Sequence, residues 1–184
     1  MSGPRALVAY ASRHGATREL AEALARDLMA SDDARRVGLY AAAVAAESRP
    51  DPSNWDAVVL GSAVYAGRWL PAAHEFAVRH AGLLRRRPLW LFSSGPIGEP
   101  PFPPDEPHDA GTLTGMLAPR GHRVFPGRLD VALLGFAERA MVTAMRAPLG
   151  DFRDWDAVRA WAGEIAGAVA GETAAAVSRP TPGA

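Results

Sequence analysis

A short apolar run, Ala6-Leu7-Val8-Ala9-Tyr10-Ala11, breaks into Ser12-Arg13-His14-Gly15-Ala16-Thr17, and an amphipathic helix pattern starts directly behind it. No other stretch restricts the fold of this chain as much. A strand that ends in hydroxyls and glycine and then opens a helix is a seat for a phosphate. The first backbone N–H groups of the helix lack internal partners, and the helix dipole places partial positive charge there. Ser12 and Thr17 add hydroxyl donors, and Gly15 permits close approach of the backbone. The same residues also suit an ordinary strand-to-helix turn with a capping hydroxyl, so the loops elsewhere must decide between the two readings.

Behind this opening, strand and helix signals alternate. Leu20, Leu24 and Leu28, with Ala21 and Ala25 beside them, form one buried stripe of a helix over Thr17 to Ala30. Arg36 to Tyr40 reads as a weak strand. Trp55 to Gly61 reads as a strong one, apolar on both faces, and Pro88 to Phe92 as another. Between them Ala73, Phe76, Ala77 and His80 make a helix stripe, with Pro71 in its first turn and Gly82 at its end. A helix is expected near Asp109 to Leu117, a fifth strand over His122 to Pro126, and a helical segment over Asp130 to Arg146. Asp154 is placed to cap the last helix, whose stripe is Val158, Trp161, Ala162, Ile165 and Val169. Five strands alternating with helices predict one α/β domain over residues 1–171, a parallel sheet covered on both faces. The small, polar, proline-bearing tail at 172–184 is expected to be disordered.

In such sheets ligands bind beyond the carboxyl ends of the strands. That selects three loops: Ser12 to Thr17; Ser62-Ala63-Val64-Tyr65-Ala66-Gly67-Arg68-Trp69; and Ser93-Ser94-Gly95-Pro96-Ile97-Gly98. A phosphate cradle beside two small-residue loops, one carrying Tyr65 and Trp69, suits a phosphorylated, flat, aromatic ligand. One of the two aromatics is expected to stack on its ring.

Composition excludes other classes. Hydrophobic content is 48% and net charge is +0, so neither disorder nor a nucleic-acid footprint is expected. All basic residues are arginine, so no Walker A lysine exists. There is no cysteine, hence no disulfide, thiol catalysis or iron–sulfur cluster. The five histidines lack metal-ligand spacing. The strand ends at Tyr10-Ala11-Ser12 and Gly61-Ser62 lack the acidic residues a phospho-receiver needs. There is no basic, apolar leader and no apolar run of the ~20 residues a membrane span requires, so a cytoplasmic location is expected.

The Ser-x-x-Gly-x-Thr loop, the Gly-Ser-Ala-Val-Tyr-Ala-Gly-Arg loop and the Gly-Asp-Phe-Arg-Asp-Trp-Asp entry to the last helix resemble the flavodoxin superfamily. Within it, the nearest resemblance is to the group that includes menaquinone-dependent protoporphyrinogen oxidase. The resemblance implies a flavodoxin-like three-layer sandwich with strand order 2-1-3-4-5 and bound FMN. Carried over by position, Ser12, Arg13, His14, Gly15, Ala16 and Thr17 hold the phosphate. Ser62 through Trp69 and Ser93 through Gly98 flank the ring. The implied activity is a quinone-linked oxidoreductase acting on a substrate such as protoporphyrinogen. A non-catalytic electron carrier and an FMN-free interaction module are the alternatives.

Two departures move the reading away from an electron shuttle: ordinary flavodoxins have threonine where this chain has His14, and they are strongly acidic. A third feature is the inserted segment 130–148, which the oxidase group resembles this chain in carrying and which is associated there with membrane or quinone contact. Its Leu133, Leu134, Phe136, Ala137, Ala140, Met141, Ala144 and Met145 make a wide apolar face. That face packs on the protein itself, or docks on a membrane surface or partner. The proline-rich stretch Glu99 to Pro107, with Phe102, is either a stiff lid beside the flavin or a connector.

Overall fold

A computed structural model describes residues 3–95, 97 and 108–178. In chain order the elements are β1 (Arg5–Ala11), α1 (Ala16–Ala30), α2 (Asp32–Val37), β2 (Tyr40–Ala45), β3 (Ala57–Tyr65), β4 (Arg68–Trp69), α3 (Pro71–Arg79), α4 (Ala81–Leu84), β5 (Leu89–Ser94), α5 (His108–Leu117), β6 (Gly121–Phe125), β7 (Arg128–Leu129), α6 (Phe136–Ala144), β8 (Gly150–Asp151) and α7 (Trp155–Val177). Five strands run parallel in the order β2-β1-β3-β5-β6, with β4 folded back on β3 as a short antiparallel hairpin. This is the flavodoxin-like order the sequence predicts.

The twofold alternation of a strand sorts its side chains between two cores. Ala6, Val8, Val59, Trp90 and Phe92 face α1 and α7, where Leu20, Leu24, Leu28, Trp161 and Ile165 close on them. Leu7, Val58, Leu60, Leu89 and Leu91 face the other way, onto Phe76, Leu84, Leu113 and Leu117 of α3, α4 and α5. Gly61 has a steric reason: a Cβ there would stand 2.0 Å from the Phe92 ring. That ring lies edge-to-face with Phe125 and Trp161, so β3 gives up a side chain to admit an aromatic cluster under the sheet's functional end.

Three local expectations are corrected. Arg36 is not in a strand. Ser31 caps α2 through a hydrogen bond from the Ala34 N–H, Arg35 and Arg36 pair with Asp32 and Asp33, and Gly38 ends the helix at φ 67°. These helix signals together outweigh the weak strand pattern, and the second strand is the alanine-rich Tyr40–Ala45. The expected helix over Asp130 to Arg146 is broken: a 3-10 turn at Val131–Leu133 precedes Gly135, and only Phe136–Ala144 is α-helical. The tail expected to be disordered from residue 172 instead continues α7 to Val177. Alanines 174–176 favour helix, and an Arg120–Glu172 ion pair ties the helix to the turn before β6. Residues 179–184, and the lid or connector at 99–107 with Phe102, lie outside the described residues.

Candidate functional site

Ala11, Ser62 and Ser93 are register partners across β1, β3 and β5. The three loops therefore leave the sheet on one line, at its carboxyl end. Together they form a cleft of about 140 Å³ lined by Ser12, Arg13, His14, Ala16, Thr17, Ala63, Val64, Tyr65, Ser94, Gly95 and Ile97. Pro96 and Gly98 lie outside the described residues.

The first loop is shaped for an anion. Gly15 takes a left-handed conformation, φ 86°, and its N–H donates to Ser12 Oγ at 3.2 Å. That turn sets the start of α1, whose N-terminus carries no side-chain cap. The leading N–H groups thus point toward the cleft with Thr17 beside them.

The second loop is a hairpin rather than a loop. Ala66 and Gly67 both have positive φ, 49° and 73°, the signature of a tight primed turn. Strand alternation then separates the two aromatics. Tyr65 lines the cleft, with Arg13 lying 5.3 Å over its ring and His14 edge-on at 6.2 Å. Trp69 is only 4% exposed: its indole N–H donates to Ser93 Oγ at 2.8 Å, and it packs in the α3 core. Of the two aromatics, only Tyr65 lines the cleft. Ser62 and Ser93 are likewise fully buried. Ser62 Oγ donates to Ala63 O and accepts from the Leu70 N–H, while Ser93 Oγ also meets His122 Nε2 at 2.9 Å. Both hydroxyls pin the hairpin instead of facing the cleft. Ala66, Gly67 and Arg68 occupy its outer tip, with Arg68 in solvent.

Three residues lining this cleft were not anticipated, Gly127, Arg128 and Leu129 just after β6, nor was Glu138 of α6, which reaches its phosphate loop. The strand-end rule that selected three loops applies equally after the fifth strand and would have found the first three. A Cβ on Gly127 would lie 3.5 Å from the backbone of Gly95, so this loop packs directly on the third one. Glu138 carries no sequence signal linking it to a loop 124 residues earlier. Its Oε1 nonetheless lies 2.9 Å from Arg13 Nη2 and 3.2 Å from His14 Nε2. The Gly135 N–H, and then His14 and Arg13, hold its carboxyl below the usual carboxylate range against a smaller opposing effect of burial.

The inserted segment leaves and rejoins the domain through the β7–β8 hairpin, where Leu129 faces Gly150. Arg153 locks that hairpin to α1. Its guanidinium is 3% exposed and binds Glu19 Oε2 at 2.7 Å and Asp151 Oδ2 at 2.6 Å, and Arg128 joins Glu19 at 3.2 Å. Between these feet the segment walls a second, apolar cleft of about 220 Å³, lined by Leu129, Leu133, Leu134, Met141 and Val142. Arg13, His14, Tyr65, Arg128 and Leu129 line both clefts, so the two share a wall. Helix α6 buries none of its residues, and Phe136 is 91% exposed. Among the described residues no group of three or more His, Asp or Glu side chains is placed to hold a metal ion.

Residues 7–156 match the family described as Flavodoxin domain. Over 99 residues the chain is 30% identical to protoporphyrinogen IX dehydrogenase [quinone] of Escherichia coli strain K12. The match covers 53% of this chain and 51% of that protein, about half the length of each. A flavodoxin from the domain Archaea superposes with a TM-score of 0.59 at 13% identity, over 90% of this chain and 98% of that one. The rubredoxin:oxygen oxidoreductase of Desulfovibrio gigas gives 0.60 at 14% identity, over 94% and 38%. Membership of the flavodoxin-domain family implies FMN as the cofactor, and the donor set fits it. An uncapped helix N-terminus and two cationic side chains suit the phosphate, while Tyr65 and the Gly95–Gly127 backbone contact suit a flat ring.

Proposed function

The chain belongs to the flavodoxin-domain family, and from that premise we propose that it is an FMN-dependent oxidoreductase that passes electrons from a reduced organic substrate to a quinone. The observation that carries this reading is the apolar cleft beside the cofactor cleft, with Tyr65, His14 and Arg128 in the wall they share. A shuttle that docks on other proteins needs an exposed ring edge. A second cleft lined by Leu129, Leu133, Met141 and Val142 suits instead a flat apolar molecule held beside the ring.

FMN supplies the redox chemistry when bound; the protein supplies position and access. The residues Ser12 to Thr17 hold the phosphate through backbone N–H groups and the Thr17 hydroxyl. Tyr65 and the backbone at Ala63–Val64 and Ser94–Gly95 flank the ring. Leu133, Leu134 and Met141 of the insert give the second cleft its apolar lining. Arg128, on the shared wall but outside the phosphate loop, meets the carbonyl or hydroxyl oxygens of a bound quinone or quinol. The reduced partner is a porphyrinogen-like molecule by analogy with the Escherichia coli protein named above. Quinones reside in membranes. The insert's exposed Phe136, Met141, Met145 and Leu149 provide the face by which the protein rests on a lipid surface. Among the described residues no helix is long and apolar enough to cross a bilayer.

The test is a flavin titration followed by reoxidation. Quenching of FMN fluorescence that saturates at micromolar concentration or below is expected. The photoreduced complex, mixed anaerobically with a water-soluble naphthoquinone, is expected to reoxidise at a rate that saturates with quinone. A rate linear in quinone and no faster than that of free reduced FMN would sink the proposal.

A further inference from the structure

The functional reading leaves Glu138 without a task. Its two carboxylate oxygens are divided between two jobs. Oε2 accepts the Gly135 N–H at 2.9 Å and so caps its own helix. Oε1 takes Arg13 and His14 from the phosphate loop. Since α6 buries none of its residues, apolar packing holds it weakly, and this ion pair links the helix to the opposite wall of the cleft.

We propose that Glu138 and the cofactor phosphate compete for Arg13 and His14, so that seating the phosphate releases α6 from the loop and widens the apolar cleft beside Tyr65. The inference rests on the flavin reading of the site. A phosphate monoester carries nearly two negative charges at neutral pH against one for a carboxylate, and it sits where the N-terminus of α1 adds its own field. Arg13 is 53% exposed and has room to turn toward it. The pair is local to the cleft: Arg128, the other cation of the shared wall, is held by Glu19 and takes no part in the exchange. The result is an order of events, cofactor first and organic partner second, with Glu138 as the positioning residue that enforces it.

Full-length protein stripped of flavin distinguishes the cases when titrated with FMN and with riboflavin, which share the ring and differ in the phosphate. Fluorescence quenching reports binding, and amide hydrogen exchange across 136–144 reports the attachment of α6. FMN is expected to speed that exchange several-fold, inorganic phosphate to reproduce part of the effect, and riboflavin to leave it unchanged. Glu138→Gln keeps an acceptor for the Gly135 N–H but loses the charge. Without ligand it is expected to exchange at the rate of the FMN-bound wild type. It should also bind FMN about two- to fivefold more tightly, the scale of a part-exposed charge pair, with riboflavin affinity unchanged. FMN binding that leaves α6 exchange unchanged or slower overturns this proposal alone, as does a Glu138→Gln variant with no gain in FMN affinity. No quenching by either flavin overturns the flavin reading and this proposal together.

Discussion

Tyr65 and Trp69 stand four residues apart on opposite arms of one tight hairpin, and the alternation of strands gives them different work. Trp69 turns inward and donates to Ser93, so Trp69→Phe removes a buried hydrogen bond. A loss of about 1 kcal/mol is expected, seen as a lower urea midpoint with FMN affinity unchanged. Tyr65→Ala is expected to do the reverse: stability held, FMN affinity down about tenfold as stacking is lost. The sequence presents both aromatics as equal candidates because the hairpin is hard to read from it. Asn-Gly or Asp-Gly would have announced a primed turn. Ala66-Gly67 does not, since alanine rarely accepts the φ of 49° it adopts here. The hydroxyls of the buried Ser62 and Ser93 pose a related problem. A serine at a strand end reads the same whether its hydroxyl faces a ligand or braces a neighbouring turn.

Among elements, the inserted segment separates most cleanly from the rest. Because Leu129 faces Gly150, residues 130–149 can be replaced by Asn-Gly to give a two-residue hairpin. FMN binding is expected to persist in that variant while quinone-dependent reoxidation is lost. Loss of both would mean the segment supports the fold and not the reaction. The Arg153 cluster at its feet sets an acid limit. Hydrogen bonds from Arg153 hold the carboxyls of Glu19 and Asp151 below the usual range, opposed by burial and helped by Arg128. Groups with depressed folded-state pKa values contribute stability that is complete above their unfolded values, about 4, and lost as pH falls through the folded ones. The urea midpoint should therefore lose this contribution only as pH falls below about 4, and Arg153→Met should flatten that drop while lowering the midpoint at pH 7. Elements were legible where the apolar stripe is strong, as in α1, or where stripe and cap agree, as in α7 with its Asp154 cap. The helix pattern of the insert was also visible, but Gly135 divides it. Whether its apolar face is covered depends on tertiary neighbours that periodicity does not encode.

At the scale of the whole molecule, the alternation of buried strands and helix stripes was enough to anticipate a doubly covered parallel sheet, and the resemblance supplied its strand order. The ligand end followed from the fold. What composition did not forecast is the uneven surface: a neutral chain that carries its large exposed apolar side chains disproportionately between residues 131 and 149, with Arg139 and Arg146 exposed among them. Co-sedimentation with vesicles containing anionic lipid is expected, weaker with zwitterionic ones. Phe136→Ser with Met141→Ser should reduce it at least about tenfold. Binding unaffected by that pair would assign the face to another protein. The two clefts also rest on different foundations. One wall is continuous with Phe92, Trp161 and the buried serines beneath the sheet, and dissolved ions do not reach it. The other hangs on the part-exposed pair of Arg13 and Glu138, which mobile ions screen over about 10 Å at 0.1 M. Ionic strength therefore acts where Arg13 stands: raising it leaves the sheet beneath the flavin as it is, and loosens the grip of Arg13 on whichever anion it meets, Glu138 or the phosphate.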